Sequence, residues 1–207
     1  MDIFYYFRSV EHPNLVQFFG FFRIGLNLHV VSEFMDCGSL HDLICSRNER
    51  MSQQSIVDYA KQICRGINFL HSRRYPNPAG IVHGFLSSKN VLLDSFGKVK
   101  ISDFAISKIK KYRPASLLER INGFSAPEVL AGEGLVILVM FCNAEHTTAS
   151  DIYSFGMILI HMVIVEVPNG GKTKAELRRI PAQEPNAILL DQYPPIDSNL
   201  LSVCIFQ

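Results

Sequence analysis

The segments HGFLSSKN, residues 83–90, and SDFA, residues 102–105, are the most informative stretches of this 207-residue chain. Two short apolar runs lie between them, VLL and VKI, and they flank the turn-forming sequence DSFG. This pattern predicts a tight β-hairpin. Asn90 ends the first segment and Asp103 lies in the second, and both carry side-chain oxygen atoms of the kind that bind Mg²⁺.

The spacing of these two segments resembles the catalytic loop and the metal-binding turn of protein kinases. In that family the loop reads His-Arg-Asp-Leu-x-x-x-x-Asn and the turn reads Asp-Phe-Gly. His83, Leu86 and Asn90 match the loop, and Asp103 and Phe104 match the turn. The resemblance therefore implies a fold that presents ATP and Mg²⁺ to a protein substrate.

The family's catalytic aspartate is replaced in this loop. Phe85 stands at its position, Gly84 replaces the preceding arginine, and Ala105 replaces the glycine of the turn. A phenyl ring cannot accept a proton or hydrogen-bond a substrate hydroxyl. Two readings stay open: Phe85 inactivates the site, or it packs into the core while another group serves as base.

Further segments follow in the order that the kinase family shows. They are EHPNLV at 11–16, VVSEFMDCGSL at 30–40, APE at 126–128 and SDIYSFG at 150–156. The resemblance covers nearly the whole chain. The Gly-Ser-Leu exit from the hinge and the Asp-Ile-Tyr-Ser-Phe-Gly helix are most similar to the tyrosine and tyrosine-kinase-like branch, and His-Gly is also found in pseudokinase domains of that branch.

The resemblance predicts an α+β fold, a mostly helical kinase large lobe with a truncated remnant of the small lobe. Residues 1–35 are expected to hold the end of helix C, strands 4 and 5 and the hinge, and residues 36–207 the large lobe, truncated at its C-terminus. An unusual apolar insertion lies near 135–146. It is either a partner-binding segment or a product of a mis-assembled gene, such as translated intron.

The resemblance also assigns the nucleotide site residue by residue. Glu33 and Met35 match the hinge that binds adenine through its backbone, and Leu92 matches the apolar floor beneath the base. Asn90 and Asp103 match the Mg²⁺ ligands. ATP and Mg²⁺ are the expected cofactors, but their retention is in question because nothing before residue 11 resembles the Gly-rich loop or the lysine strand.

Several other residues match structural positions of the family. Those of the stacked internal spine are Phe7, Phe18, His83 and Phe104. Asp151 is expected to anchor the backbone of the catalytic loop. Glu128 is expected to be a buried carboxylate without its usual arginine partner, which would be costly.

Apolar periodicity predicts three helices. Residues 39–45 form a short one, and Ser52 is a plausible N-cap for a helix that runs to about Ser72 with one buried face. Residues 152–165 are apolar on nearly all sides, which predicts a helix buried all round. Two β-like segments, 16–22 and 28–33, flank a turn near Gly25.

Composition excludes several classes of function. The net charge of +1 predicts no general attraction to nucleic acid or to a membrane surface. The apolar runs are shorter than the roughly 20 residues that span a bilayer. The five cysteines lack Cys-x-x-Cys spacing, which predicts reduced thiols in a cytoplasmic protein and neither disulfides nor a zinc site.

Three hypotheses for function follow. The chain is a catalytically impaired, pseudokinase-like module that acts in signalling by binding a protein, for instance another kinase domain. Alternatively it is an ATP-dependent protein kinase, specific for Ser/Thr or Tyr, represented by an incomplete chain. The third hypothesis is a fragment that does not fold alone, because its apolar lobe interface is exposed.

Overall fold

The computed structural model describes residues 8–25, 27–47, 50–73, 80–104, 123–132, 146–170, 172 and 176. Within these ranges the chain forms two antiparallel hairpins and four α-helices. The elements are strands β1 (Phe18–Ile24) and β2 (Asn27–Ser32), helices α1 (Leu40–Arg47) and α2 (Gln53–Ser72), strands β3 (Val91–Leu93) and β4 (Val99–Ile101), and helices α3 (Pro127–Gly132) and α4 (Thr148–Ile164). The predicted α+β class is confirmed.

The first hairpin carries apolar side chains that remain exposed on both of its faces. Strands β1 and β2 pair with Phe21 opposite Val30 and Phe22 opposite His29. Side chains alternate between faces along a strand, so Phe22 and Ile24 lie on one face and Phe21 on the other. Each of these three side chains is at least 42% exposed. A two-stranded hairpin of this kind is marginal by itself.

Helix α2 shows the buried face that its sequence period predicts. Its buried residues recur three or four positions apart, and they are Ile56, Ala60, Ile63, Gly66, Ile67 and Leu70. Ser52 is the N-cap, and its hydroxyl accepts the Ser55 N–H at 3.1 Å. The predicted start and end of this helix are confirmed.

Gly66 marks the closest approach of α2 to the rest of the fold. A methyl group added there would lie 2.8 Å from the Ile101 Cδ1 atom and 2.9 Å from the Asn14 carbonyl oxygen. At Gly156, in the interior of α4, no atom of another described residue lies within 4 Å of the same position. The two helical glycines therefore separate the effect of packing from the effect of helix propensity.

We expect Gly66→Ala and Gly156→Ala to change stability in opposite directions. Overpacking should make Gly66→Ala cost about 1–2 kcal/mol of unfolding free energy even after the gain in helix propensity. Gly156→Ala should add up to about 1 kcal/mol, because alanine favours a helix and meets no neighbour there. Urea unfolding of both variants measures the two values. A stabilising Gly66→Ala would contradict the described packing of α2.

The second hairpin and the segment before β1 complete the core around α2. Strands β3 and β4 pair Val91 with Ile101 and Leu93 with Val99, as the hairpin prediction requires. The Val16 N–H donates to the Ile101 carbonyl at 2.9 Å. The Asn14 side chain donates to the Val99 carbonyl, also at 2.9 Å. The 14–16 segment is therefore fixed to the outer side of β4.

Helix α4 is the most deeply buried helix of the described chain. It begins at a capping box in which Thr147 and Ser150 exchange side-chain and backbone hydrogen bonds. Buried positions recur along it at Asp151, Phe155, Ile158 and Met162. The prediction that this helix is buried all round was wrong at Ile152, which is 54% exposed because it lies outside that stripe.

Some predictions fall outside the described residues. They concern Phe7 and most of the insertion near 135–146. The division into a small-lobe part, 1–35, and a large-lobe part, 36–207, stays a prediction.

Candidate functional site

The Asp151 carboxylate of helix α4 anchors the loop that contains Phe85. Its Oδ2 accepts the His83 N–H at 2.8 Å, and its Oδ1 accepts the Gly84 N–H at 2.9 Å. The Nε2 atom of His71, at the end of α2, lies 2.9 Å from Oδ2. Asp151 is 1% exposed, so these partners replace the water it loses. This is the backbone contact that the family resemblance implied for Asp151.

His83 is fixed in one neutral tautomer by its two ring partners. Its Nε2 lies 2.9 Å from the Ser102 carbonyl, which can only accept a hydrogen bond, so Nε2 carries the proton. Its Nδ1 accepts the Phe85 N–H at 3.2 Å. The ring is 0% exposed, and burial lowers its pKa. A second proton on Nδ1 would face the Phe85 N–H and break that bond.

We expect the protein to lose stability as the pH falls from about 7.5 to 5.5. Burial lowers the pKa of His83, and burial with the neighbouring His41 lowers the pKa of His161 to about 4. Below the unfolded pKa of roughly 6.5, the unfolded chain takes up protons that the folded chain excludes. The stabilising contribution is therefore full above that value and declines as the pH falls towards the folded pKa.

Urea midpoints at pH 7.5 and 5.5 measure this effect. The exposed His29 provides the control, since His29→Gln should leave the pH dependence unchanged. This window lies above the range in which carboxylates titrate. Equal midpoints at the two pH values would show that the buried imidazoles do not govern acid stability.

Phe85 stands in the middle of this loop with its backbone fully engaged. Its N–H bonds His83, and its carbonyl accepts the Asn90 Nδ2 at 2.7 Å. The phenyl ring is half-buried and contacts the His146 ring, with centroids 4.8 Å apart. The loop therefore keeps a defined geometry around a side chain without acid–base capacity.

The β3–β4 hairpin brings Asn90 and Asp103 to the same end of the site. Val91 pairs with Ile101, so the residues just outside that pair are neighbours. The Ser102 N–H donates to the Asn90 carbonyl at 2.8 Å. Asp103 is exposed and has a φ of +59°, a left-handed conformation that costs energy in a non-glycine residue. Nδ2 of Asn90 is bonded to Phe85, and among the described residues its Oδ1 has no hydrogen-bond partner, which leaves that oxygen for a ligand.

An open cleft of about 620 Å³ lies between the hinge and helix α1. Glu33, Met35 and Leu92 all line it, together with Lys89. The structure therefore brings together the three residues that the sequence assigned to adenine. The Met35 carbonyl accepts the Gly38 N–H at 3.4 Å, so this side of the hinge backbone is partly used within the fold.

The Glu33 side chain fastens the hinge to strand β4. Both of its carboxylate oxygens contact the Lys100 ammonium group, with Oε2 at 2.6 Å. Its backbone N–H also bonds the Gln17 carbonyl at 2.8 Å. Partial burial is the largest single effect and opposes the charge on Glu33. The hydrogen bonds from Lys100 and from the Gln17 N–H, together with the charges of Lys100 and Lys98, outweigh it and lower the pKa. The Glu33 carboxylate therefore has a structural role. The backbone carbonyl of Glu33 is the part of the residue that remains a candidate for binding adenine.

The remaining structural residues occupy different environments. Phe104 is buried and Phe18 is half-buried against the core. The prediction that Glu128 is a buried, uncompensated carboxylate was wrong, because it is exposed in the first turn of α3. There the carboxylate is in contact with solvent, so it does not need a buried partner.

Two histidines of the site were missed from the sequence. His71 completes the shell of Asp151, and His146 contacts Phe85. His71 lies in the last turn of α2. Its position on the face of that helix was the sequence signal that could have indicated that it packs towards the core. His146 adjoins the segment interpreted as an insertion and carried no signal of its own.

The described chain thus has a loop with Phe85 at the position of the family's catalytic aspartate, a hairpin that presents Asn90 and Asp103, and a hinge cleft. This is the arrangement of a protein kinase. A family model described as "Protein kinase domain" matches residues 4–200, and the chain belongs to that family.

Curated relatives carry kinase names. The chain is 31% identical over 172 residues to "Serine/threonine-protein kinase CTR1" of Arabidopsis thaliana, covering 82% of this chain and 19% of that protein. It is 35% identical to "Putative serine/threonine-protein kinase/receptor R831" of Acanthamoeba polyphaga mimivirus, covering 82% and 10%. For "Serine/threonine-protein kinase 12" of Arabidopsis thaliana the identity is 30%, covering 82% and 34%. The chain thus spans about a third or less of these relatives.

Among the helices that the structure describes, none combines the length and the apolar character needed to cross a membrane.

Proposed function

We propose that this kinase domain is impaired in phosphoryl transfer and acts in signalling by binding a protein partner. One observation carries the proposal. The loop retains its anchors to Asp151 and Asn90, but it presents a phenyl ring where the family has a carboxylate. The loop backbone is hydrogen-bonded on both sides of Phe85. A loop conformation that placed another residue at this position would have to break those hydrogen bonds.

The nearby carboxylates are poor substitutes for the missing base. Asp151 lines the same crevice as Phe85, but its oxygens already accept from two backbone N–H groups and contact His71. Asp94 lies in the β3–β4 turn, where its Oδ1 accepts the Phe96 and Lys98 N–H groups. Loss of a well-placed base commonly lowers a rate by about 10²–10⁴.

The apolar hairpin supports a role in protein binding. Its exposed residues, such as Phe22 and Ile24, form a surface that soluble proteins usually cover with a partner. We take that partner to be a protein, such as another kinase domain. Motifs such as the hinge exit at 38–40 favour the tyrosine-kinase-like branch, and the exposed thiol of Cys37 suits the cytoplasm.

A second candidate is an active protein kinase that uses ATP and Mg²⁺. Asn90 Oδ1 and the Asp103 carboxylate fit a magnesium site, since both are oxygen donors and Asp103 is held in a strained conformation. They would hold the ion, which would neutralise charge on the phosphates. His146, beside Phe85, is the neighbouring group that could accept a proton. The relatives' names favour Ser or Thr as the acceptor under this candidate.

The two candidates differ in their response to His146→Gln. The first predicts that wild type and His146→Gln show the same background transfer of phosphate from MgATP to a generic protein substrate. Wild-type transfer that falls by about 10² or more in His146→Gln would identify the imidazole as the replacement base and would establish the second candidate. His29→Gln controls for loss of an imidazole elsewhere.

A further inference from the structure

A group of side chains of the kinds that bind metal ions lies where helix α1 meets helix α4. His41 and Cys45 are four residues apart and hence on one face of α1, and His161 comes from the last turn of α4. One ligand atom from each residue lies within 4.8 Å of the other two. The proposed function uses none of these three residues.

His161 is the buried member of this cluster. Its side chain is 0% exposed, and its Nδ1 lies 3.0 Å from the Ser88 hydroxyl. Its Nε2 is buried without a hydrogen-bond partner among the described residues. Buried imidazole nitrogens normally have a hydrogen-bond partner, so a buried nitrogen without one needs a physical explanation. Coordination of a cation by Nε2 would supply the missing partner.

The two ligands on α1 are already close to a coordinating distance. His41 Nε2 lies 3.8 Å from Cys45 Sγ. In a tetrahedral zinc site, with Zn–N near 2.0–2.1 Å and Zn–S near 2.3 Å, neighbouring ligand atoms stand roughly 3.3–3.7 Å apart. The His41 ring is tilted against the His161 ring with centroids 5.6 Å apart. Small rotations of these side chains would therefore complete a trigonal set.

We propose that His41, Cys45 and His161 form a binding site for a borderline divalent metal ion, of which Zn²⁺ fits best. One thiolate and two imidazoles suit zinc and exclude hard cations such as Mg²⁺ and Ca²⁺, which prefer oxygen. Binding displaces the thiol proton of Cys45 to solvent. The fourth position is left for water, because Cys45 is exposed and the site opens on that side.

Ser88 supports the proposed metal site from outside its set of ligands, and a bound ion would link two helices. Ser88, in the catalytic loop, orients the His161 ring through Nδ1, as outer hydrogen bonds orient metal ligands. The bound ion would tie α1 to α4. His41 also lines the hinge cleft, so the ion would fix one wall of that cleft.

Cobalt titration of the metal-free 207-residue chain tests the proposal. Co²⁺ should bind with one-to-one stoichiometry and produce a thiolate-to-metal charge-transfer band, which Zn²⁺ should abolish. Cys45→Ser should lose the band, and the exposed Cys37→Ser should keep it. Zn²⁺ should also raise the melting midpoint of wild type and leave that of Cys45→Ser unchanged.

Two further variants separate coordination from general damage. His41 is half-buried on α1, and His41→Gln removes one ligand, so it should weaken Co²⁺ binding by more than about 100-fold. Ser88→Ala retains all three ligands and should weaken it by roughly 10–100-fold. A wild-type protein without the band, a band that survives in Cys45→Ser, or unchanged affinity in both His41→Gln and Ser88→Ala would overturn the assignment.

Discussion

Asp151→Ala should lower the unfolding free energy by roughly 3–5 kcal/mol, because it removes one partner from a buried charged network. The change leaves the His83 and Gly84 N–H groups buried without acceptors, and each such group costs about 1–3 kcal/mol. It also removes the contact of His71. The loop that carries Phe85 should open before the rest of the domain unfolds.

Asp151→Asn and Asp58→Ala complete this experiment. The Asp151→Asn side chain would keep one oxygen acceptor but turn an amide N–H towards a backbone N–H, so an intermediate loss is expected. Asp58 is exposed on helix α2, and its removal should change stability by less than about 0.5 kcal/mol. Urea unfolding gives the free energies, and hydrogen exchange of the Gly84 amide reports the loop. A similar stability for Asp151→Ala and Asp58→Ala would refute the anchoring role.

Gly80→Ala should be the second severely destabilising change. Gly80 has a φ of +82°, and an added methyl group would lie 2.2 Å from the His71 carbonyl oxygen. The left-handed conformation costs about 1–2 kcal/mol for alanine, and the overlap adds about 1–3 kcal/mol. We therefore expect a loss of roughly 2–5 kcal/mol in unfolding free energy.

Gly97→Ala is the matched control for this substitution. Gly97 has a φ of +77° in the β3–β4 turn, and within the described part of the chain nothing lies within 4 Å of its added methyl position. It should cost only the conformational part, about 1–2 kcal/mol. The difference between the two variants measures how closely the chain packs where it leaves helix α2 for the catalytic loop. Equal losses would exclude the described contact between Gly80 and His71.

Local pattern and family resemblance predicted the parts of the fold that depend on nearby residues. The N-cap at Ser52, the buried stripe of α2 and the β3–β4 hairpin all follow from short-range signals. The contact of Asp151 with the loop was expected from the family alone. Nothing in the spacing of residues 83 and 151 shows that they meet.

Contacts between distant segments were not predictable in the same way. His161 lies 120 positions after His41, and only the packing of α4 beside α1 brings their rings together. A sequence search for zinc sites looks for closely spaced cysteines. The cluster of His41, Cys45 and His161 contains a single cysteine, so such a search does not detect it. The exposure of Glu128 was missed for a related reason, since the family's arginine partner suggested burial and the local helix turn decides otherwise.

Phosphoryl transfer by the wild-type chain, measured against its Asp103→Asn variant at saturating MgATP, tests the central claim most directly. Asp103→Asn removes the carboxylate that a catalytic Mg²⁺ requires but leaves the loop and its Phe85 unchanged. The account predicts a ratio of transfer rates close to one, because without the base transfer by both proteins is at the uncatalysed background level. A wild-type rate about 10² or more above that of Asp103→Asn would show that this domain catalyses the family's reaction despite Phe85.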